Sequence, residues 1–287
     1  MVTFLTGAAI IILFALRPFA YKTSSKKMDP EVSSYFTAVW CLLFALPTIP
    51  FCMHNYFIDG KFVFLTSGIV FPLLKGVSMY AFMKLSQVVN RENTSGSVFW
   101  GVISLAIATL VTTFVFGVPL ENTKLIIIVF IGVTGVLFFT FGEGKNLSPT
   151  GKKAFAGLLF FSALNNVCDA LSIRYTNWYV LYTVPSVGML LCSLATVGKK
   201  VPVKSFFTTK HIVWAGIVFA SGEILLMFSM QFFFPVIAAL FLVRLSQSLD
   251  LVLAHHLEKE GKAGVQYFFA LGTVVLAYFF FFGFPKF

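Results

Sequence analysis

The sequence predicts an all-α polytopic membrane protein with ten transmembrane helices, and three observations carry the prediction. The first is composition: 58% of the 287 residues are hydrophobic and 11% are charged, with a mean hydropathy of +0.90. That leaves too little polar surface for a soluble domain. The second is run length. Apolar stretches of roughly 20 residues, enough to cross about 30 Å of hydrocarbon at about 1.5 Å per residue, recur ten times along the chain. They are continuous, without the polar residue at every second position that a barrel wall around a wet lumen requires, so helices are selected over strands. The third is duplication. Lys84 to Phe141 and Gln231 to Phe281 each carry an apolar helix, a short polar break and another apolar helix, and a shift of 140 positions lays Gly132 on Gly272, Leu105 on Leu245 and Phe141 on Phe281. A duplicated hairpin of this kind places a binding site between the halves.

The first span, Val2 to Tyr21, has no basic stretch ahead of it and no small-residue cleavage site behind it, so a retained helix is expected rather than a signal peptide. The polar segment Lys22 to Pro30 separates it from the second span, Glu31 to Met53, which holds Pro47 and Pro50. The third, Val63 to Val89, carries Pro72 ahead of Lys75 and Gly76; a proline leaves a carbonyl without its helical partner, and that opening is expected to expose backbone to a solute. Ser95 to Gly117 and Leu125 to Phe141 complete a first five-helix repeat over residues 1–143. Beyond Asn146 to Lys152, the second repeat, residues 144–287, opens with Lys153 to Arg174 and continues with Trp178 to Val197, which contains Pro185. After Lys199 to Lys210 come His211 to Phe233, Pro235 to His256 and Gly264 to Phe284. The connections are too short for a separate soluble domain.

The net charge of +10 is explained by position. Of 21 Lys and Arg, 13 fall on one side of the predicted spans: in Lys22 to Lys27, at Arg91, in Lys145 to Lys153, in Lys199 to Lys210, and at Lys259 and Lys262. Four fall on the other side, at Lys61, Lys124, Arg174 and Lys286; the remaining four, Arg17, Lys75, Lys84 and Arg244, lie within helices. Basic loops stay cytoplasmic, which places both termini outside. The anionic cytoplasmic leaflet accounts for the charge, so lipid is the expected partner and nucleic acid is not.

Ionised side chains in hydrocarbon cost from about 3 kcal/mol upward unless paired or wetted, and they are therefore the candidate functional residues. Lys75, Glu223 and Arg244 are central in the third, eighth and ninth spans. They are expected to line a wet cavity, with a structural bridge such as Glu223 to Arg244 as the alternative. Arg17 and Lys84 are nearer helix ends, where snorkelling to the headgroups is expected. Asn165 and Asp169, at i and i+4, share a face of the sixth span beside Asn166, and such a set binds an ammonium or hydroxyl group, or stitches helices together. Asp250 is six residues beyond Arg244, so the two are expected to point apart, with Asp250 facing a cytoplasmic vestibule. Tyr80 and Trp100 complete the solute-binding candidates; among 37 phenylalanines no single ring stands out. Cys41, Cys52, Cys168 and Cys192 have neither metal nor redox spacing and are expected to be packing residues. His54, His211, His255 and His256 lie at helix ends or in loops, and no metal or cofactor site is predicted.

With these residues placed, the chain resembles the drug/metabolite transporter superfamily, and most of all its EamA-like branch. The runs YAFMKLSQVVNRENTSGSVFWGVISLAIATLV and LLMFSMQFFFPVIAALFLVRLSQSLDLVLAHHL carry the likeness. Phe82-Met83-Lys84-Leu85 and Ser229-Met230-Gln231-Phe232 occupy the family's helix-ending element, and Pro235 begins the following helix in the second half. The resemblance implies two inverted five-helix repeats in a bacterial inner membrane. It also implies an alternating-access carrier whose central cavity is lined by the first, third, fourth, sixth, eighth and ninth helices, which hold Lys75, Asn165, Asn166, Asp169, Glu223 and Arg244.

Three basic and three acidic groups within the helices are balanced, so the expected cargo is a small zwitterionic or amino-acid-like solute, with a lipid-linked or nucleotide-bearing metabolite as the alternative. A proton or second solute is the expected driving partner, with Glu223 as the proton-coupling candidate. A lipid-modifying enzyme would need a convergent set at the interface, and His255, His256 and Glu258 form the one grouping that could supply it. A structural subunit would tolerate neutralisation of the central charges; a carrier would not.

Overall fold

Prolines and capping side chains decide where the apolar runs become regular helix. The computed structural model describes residues 2–26, 28–50, 54, 57–58, 61–62, 66–197, 210–259 and 263–283. Ten α-helices lie among them: α1 (Val2–Ser25), α2 (Pro30–Ala45), α3 (Thr66–Glu92), α4 (Thr94–Leu110), α5 (Asn122–Phe141), α6 (Pro149–Ser172), α7 (Trp178–Val197), α8 (Lys210–Phe232), α9 (Val236–Glu258) and α10 (Ala263–Phe282). Cys52, Met53, Val63, Phe284, most of Lys199 to Lys210 and the side chain of Glu258 lie outside the described residues.

Eight of these helices are long and apolar enough to cross a membrane. The other two expected spans, Glu31 to Met53 and Ser95 to Gly117, begin as α2 and α4 and continue in a different helical form. Helix α2 has 16 residues and passes into a 3₁₀ turn at Leu46–Thr48, because Pro47 has no N–H and its ring opposes the carbonyl one turn back. Helix α4 has 17 residues and widens into a π turn at Val111–Val115, which ends at Gly117 with φ +63°, a conformation that only glycine adopts freely. Between α2 and α3, Phe57–Ile58 pairs antiparallel with Lys61–Phe62.

Helix starts follow from sequence. Asp29 accepts a hydrogen bond from the Glu31 N–H at 2.9 Å, ahead of Pro30. Ser148 accepts one from the Gly151 N–H at 3.0 Å, ahead of Pro149. Both place a capping oxygen before a proline already fixed at helical φ.

The most extensive packing joins α3 to α6 and to α7, α4 to α5, and α1 to α8; α2 packs on α7 and α8, α4 also on α6 and α9, and α1 on α9. Helices α5 and α10 lie outside this group, packed mainly on α4 and α9 respectively, with Phe130, Leu137, Phe268 and Leu271 more than half exposed on their outer faces. Such faces are suited to lipid and unsuited to water. At Gly76 the backbones of α3 and α7 meet: a Cβ there would lie 2.7 Å from the Pro185 carbonyl oxygen and 3.0 Å from the Gly188 Cα. At Gly76, four residues after Pro72, it is thus α7 that the α3 backbone meets. The duplicated glycines are also not equivalent in packing. A Cβ on Gly132 would meet the Ala106 Cβ at 2.4 Å, whereas one on Gly272 would meet nothing within 4 Å, since α10 does not press on its neighbour at that point.

Candidate functional site

Ionic and polar side chains from five helices converge on one crevice. On α3, Lys75 and Ser78 are three residues apart and share a face; on α6, Asn165 and Asp169 are four apart and share another. The close contact of α3 with α6 brings the two faces together. Lys75 Nζ donates to Asp169 Oδ1 at 2.5 Å, and Ser78 Oγ donates to Asn165 Oδ1. On the other flank, Arg17 of α1 donates from Nη1 to Glu223 Oε1 of α8 at 2.9 Å. The Arg17 guanidinium stacks 3.8 Å from the Phe14 ring and 4.3 Å from that of Phe219, rings one turn before Arg17 and Glu223 respectively. Lys75 Nζ also lies 3.8 Å from Glu223 Oε2, so one long ionic contact links the α3–α6 pair to the α1–α8 pair.

Arg244 of α9 stands apart from these bridges. It is 4% exposed, and no carboxylate lies within salt-bridge distance of it among the described residues. Its Nη2 donates to Asn166 Oδ1 at 3.3 Å, and its guanidinium lies 5.4 Å from the Trp100 ring centroid. Arg244 Nε and Asn166 Nδ2 are buried with no hydrogen-bond partner among the described residues. Of the three cations that line the crevice, Arg244 is thus the one without a carboxylate in salt-bridge range among the described residues. An uncompensated buried cation flanked by unpaired donors costs several kcal/mol unless an acceptor or water reaches it.

A narrow crevice runs past the charged groups of both ion pairs and past Arg244, Asn166 and Trp100. From Lys75 it follows α3 to Asn90, fifteen residues and about 22 Å along the helix, and its far arm is bordered by Tyr21, Gln247 and Asp250. That arm runs toward the end of the bundle that carries Lys22, Lys84 and Arg91.

No protein-family model matches the chain, and no curated protein is similar to it in sequence. Its architecture is shared, however. Chains of solved structures match it, 26 of them, including a crystal structure that superposes with a TM-score of 0.64 over 96% of this chain and 95% of that one at 14% identity. At that identity the likeness speaks to fold alone.

Of the sequence candidates, Lys75, Trp100, Asn165, Asn166, Asp169, Glu223 and Arg244 all line the crevice. Tyr80 does not: its hydroxyl is hydrogen-bonded with Thr196 Oγ1 of α7. The expected alternatives of wet cavity and structural bridge both occur, but the bridge is not Glu223 to Arg244. Glu223 is held by Arg17 and Lys75, because α8 packs far more closely on α1 than on α9. Arg17 is accordingly a buried bridge, 7% exposed, and not a snorkelling residue. Its depth was the available signal, since it lies eight residues, about 12 Å, before the end of α1. Lys84 fits its expected place better, being half-buried and paired with Glu31 of α2. Asp250 shares the crevice with Arg244 despite their 120° separation. Leu240, Val243, Gln247 and Asp250 form the lining stripe at helical spacing, and the long Arg244 side chain reaches it from the next position.

Away from the crevice, the His255 and His256 rings are 5.6 Å apart and His256 Nε2 is 2.5 Å from the Tyr267 hydroxyl. No metal-binding group of three or more His, Cys, Asp or Glu is found among the described residues. Cys41 and Cys168 are buried and Cys192 half-buried, all as free thiols.

Proposed function

We propose that the chain is a secondary-active, alternating-access carrier of a small organic solute that bears a carboxylate, amino-acid-like or otherwise zwitterionic, in the manner of the drug/metabolite transporters it resembles. The observation that carries this reading is Arg244: a buried cation lacking a carboxylate partner, beside Asn166 and Trp100, on a polar crevice inside an apolar bundle. A guanidinium is suited to planar, two-point recognition of a carboxylate, and the neighbouring amide adds a further donor. A sealed structural core would have paired Arg244 as it paired Arg17 and Lys75.

Helix packing supports an inverted-repeat arrangement. Exchanging each helix with the one five places along turns α3–α6 into α8–α1, α3–α7 into α8–α2, α4–α5 into α9–α10 and α4–α6 into α9–α1, and every one of these is a packed pair. Five crossings per half give the halves opposite orientation. The bilayer midplane, where the two halves meet, is where solute sites of such carriers are built.

The test is a thermal-shift screen of the purified protein against a metabolite library. A ligand that binds only the folded state adds about 2.7 kcal/mol of stability at a hundredfold excess over Kd. Stabilisation by carboxylate-bearing solutes, lost on Arg244→Gln, is expected. Stabilisers that all lack an anionic group, or a shift that survives in R244Q, would overturn the reading.

A further inference from the structure

Glu223 carries the one carboxylate of the crevice that touches two cations, Arg17 at 2.9 Å and Lys75 at 3.8 Å, and Asp169 holds Lys75 at 2.5 Å. Either would have to be released from its partners before taking a proton. Asp250 is differently placed. It is 2% exposed, lines the inner arm of the crevice, and its Oδ1 has no hydrogen-bond partner among the described residues.

The groups around it are polar and similarly unpaired. The Tyr21 hydroxyl of α1, Asn90 Oδ1 of α3 and Gln247 Oε1, one turn before Asp250, all lack partners among the described residues and border the same arm. Gln247 fits there because residue 101 of α4 is glycine; a Cβ at that point would lie 1.8 Å from the amide nitrogen. The arm thus offers acceptor oxygens where the centre of the crevice offers the donors of Arg244 and Asn166.

The geometry points to Asp250 as the proton-binding carboxylate of this carrier, a role separate from that of Glu223. The inference rests on the carrier reading above. A proton entering along the inner arm adds to a lone pair of the Asp250 carboxylate, forming an O–H and neutralising the side chain, and it leaves from the same oxygen when the crevice opens to the opposite side. The titratable groups that face the crevice with Asp250 are Arg17 and Tyr21 from α1, Lys75 from α3, Asp169 from α6, Glu223 from α8 and Arg244 from α9 itself; α4 and α10 contribute none.

Acid-induced infrared difference spectra of the full chain in lipid, which read the C=O stretch of protonated carboxyl groups, need no solute. Part of that band is expected to vanish in Asp250→Asn, to return in Asp250→Glu, and to be unaltered in Glu223→Gln. A D250N spectrum that superposes on the parent, or loss of the band in E223Q instead, would sink the assignment. In proteoliposomes containing a pH dye, a solute that gives counterflow is expected to move protons with the parent chain and with D250E but not with D250N. Proton movement retained in D250N also overturns it. A protein in which no solute gives counterflow fails as a carrier, while the infrared result still decides whether Asp250 takes the proton.

Discussion

Arg17 and Glu223 form a buried contact in which removal of one charge strands the other. Both side chains are about nine-tenths buried, and the guanidinium is also sandwiched by Phe14 and Phe219. Glu223→Gln removes the charge from Arg17 and from the second contact of Lys75, and breaking one side of a buried ion pair typically costs about 3–5 kcal/mol. E223Q is therefore expected to unfold at clearly lower temperature or denaturant concentration in detergent, with a smaller loss for Arg17→Met, whose apolar side chain still fills the space between the rings but leaves Glu223 to Lys75. Equal stability of E223Q and the parent would show that water already carries most of the charge. The presence of Lys75, Glu223 and Arg244 in a crevice was legible in the sequence, because apolar spans make ionised residues conspicuous; that of Arg17, expected at the headgroups, was not. Nor was the pairing of these charges. Which of three cations meets which carboxylate depends on which helices are neighbours, and the 206 residues between Arg17 and Glu223 give no local signal of that. Tyr80 shows the same limit, since one position on α3 separates a residue facing α7 from Met79, which faces the crevice.

Among elements, α3 is the one on which the site turns. It contacts α6 through Lys75–Asp169 and Ser78–Asn165, and again at its end, where the Glu92 carboxylate accepts hydrogen bonds from the Ser148 N–H at 3.0 Å and from Ser148 Oγ at 2.7 Å. Its opposite face rests on α7 at Gly76. Backbone on both sides leaves nothing to yield there, so Gly76→Ala is expected to force α3 and α7 apart and cost about 1–3 kcal/mol as an overpacked contact. Thermal unfolding measures it, and an unchanged midpoint would mean that the two helices already separate freely. Most helices were readable to within a few residues from apolar run length. The shortened α2 had a signal in Pro47 that run length overrode. The π turn of α4 had none, because Val111–Val115 is as apolar as the helix before it.

For the molecule as a whole, the proposed orientation rests on the distribution of Lys and Arg: basic loops in the cytoplasm would set the far arm of the crevice toward the cytoplasmic side and both termini outside. In a chain whose native cysteines have been replaced, Val2→Cys is expected to react with a membrane-impermeant maleimide on intact cells, and Lys145→Cys only after permeabilisation. The reverse pattern would invert every statement about sidedness while leaving the crevice intact. Residues 1–143 and 144–287 are not separable bodies, since α3–α6, α3–α7 and α1–α8, three of the most extensively packed pairs, each take one member from either half.

That interleaving constrains biogenesis. Arg17 and Lys75 belong to the first half and Asp169 and Glu223 to the second, so the bridges of the crevice each join a cation from early sequence to a carboxylate from late sequence. As the chain leaves the ribosome, its first five helices reach the bilayer bearing two bare positive charges, and nothing neutralises them until α6 and α8 arrive. Pairing in the crevice therefore waits on the second half of the chain.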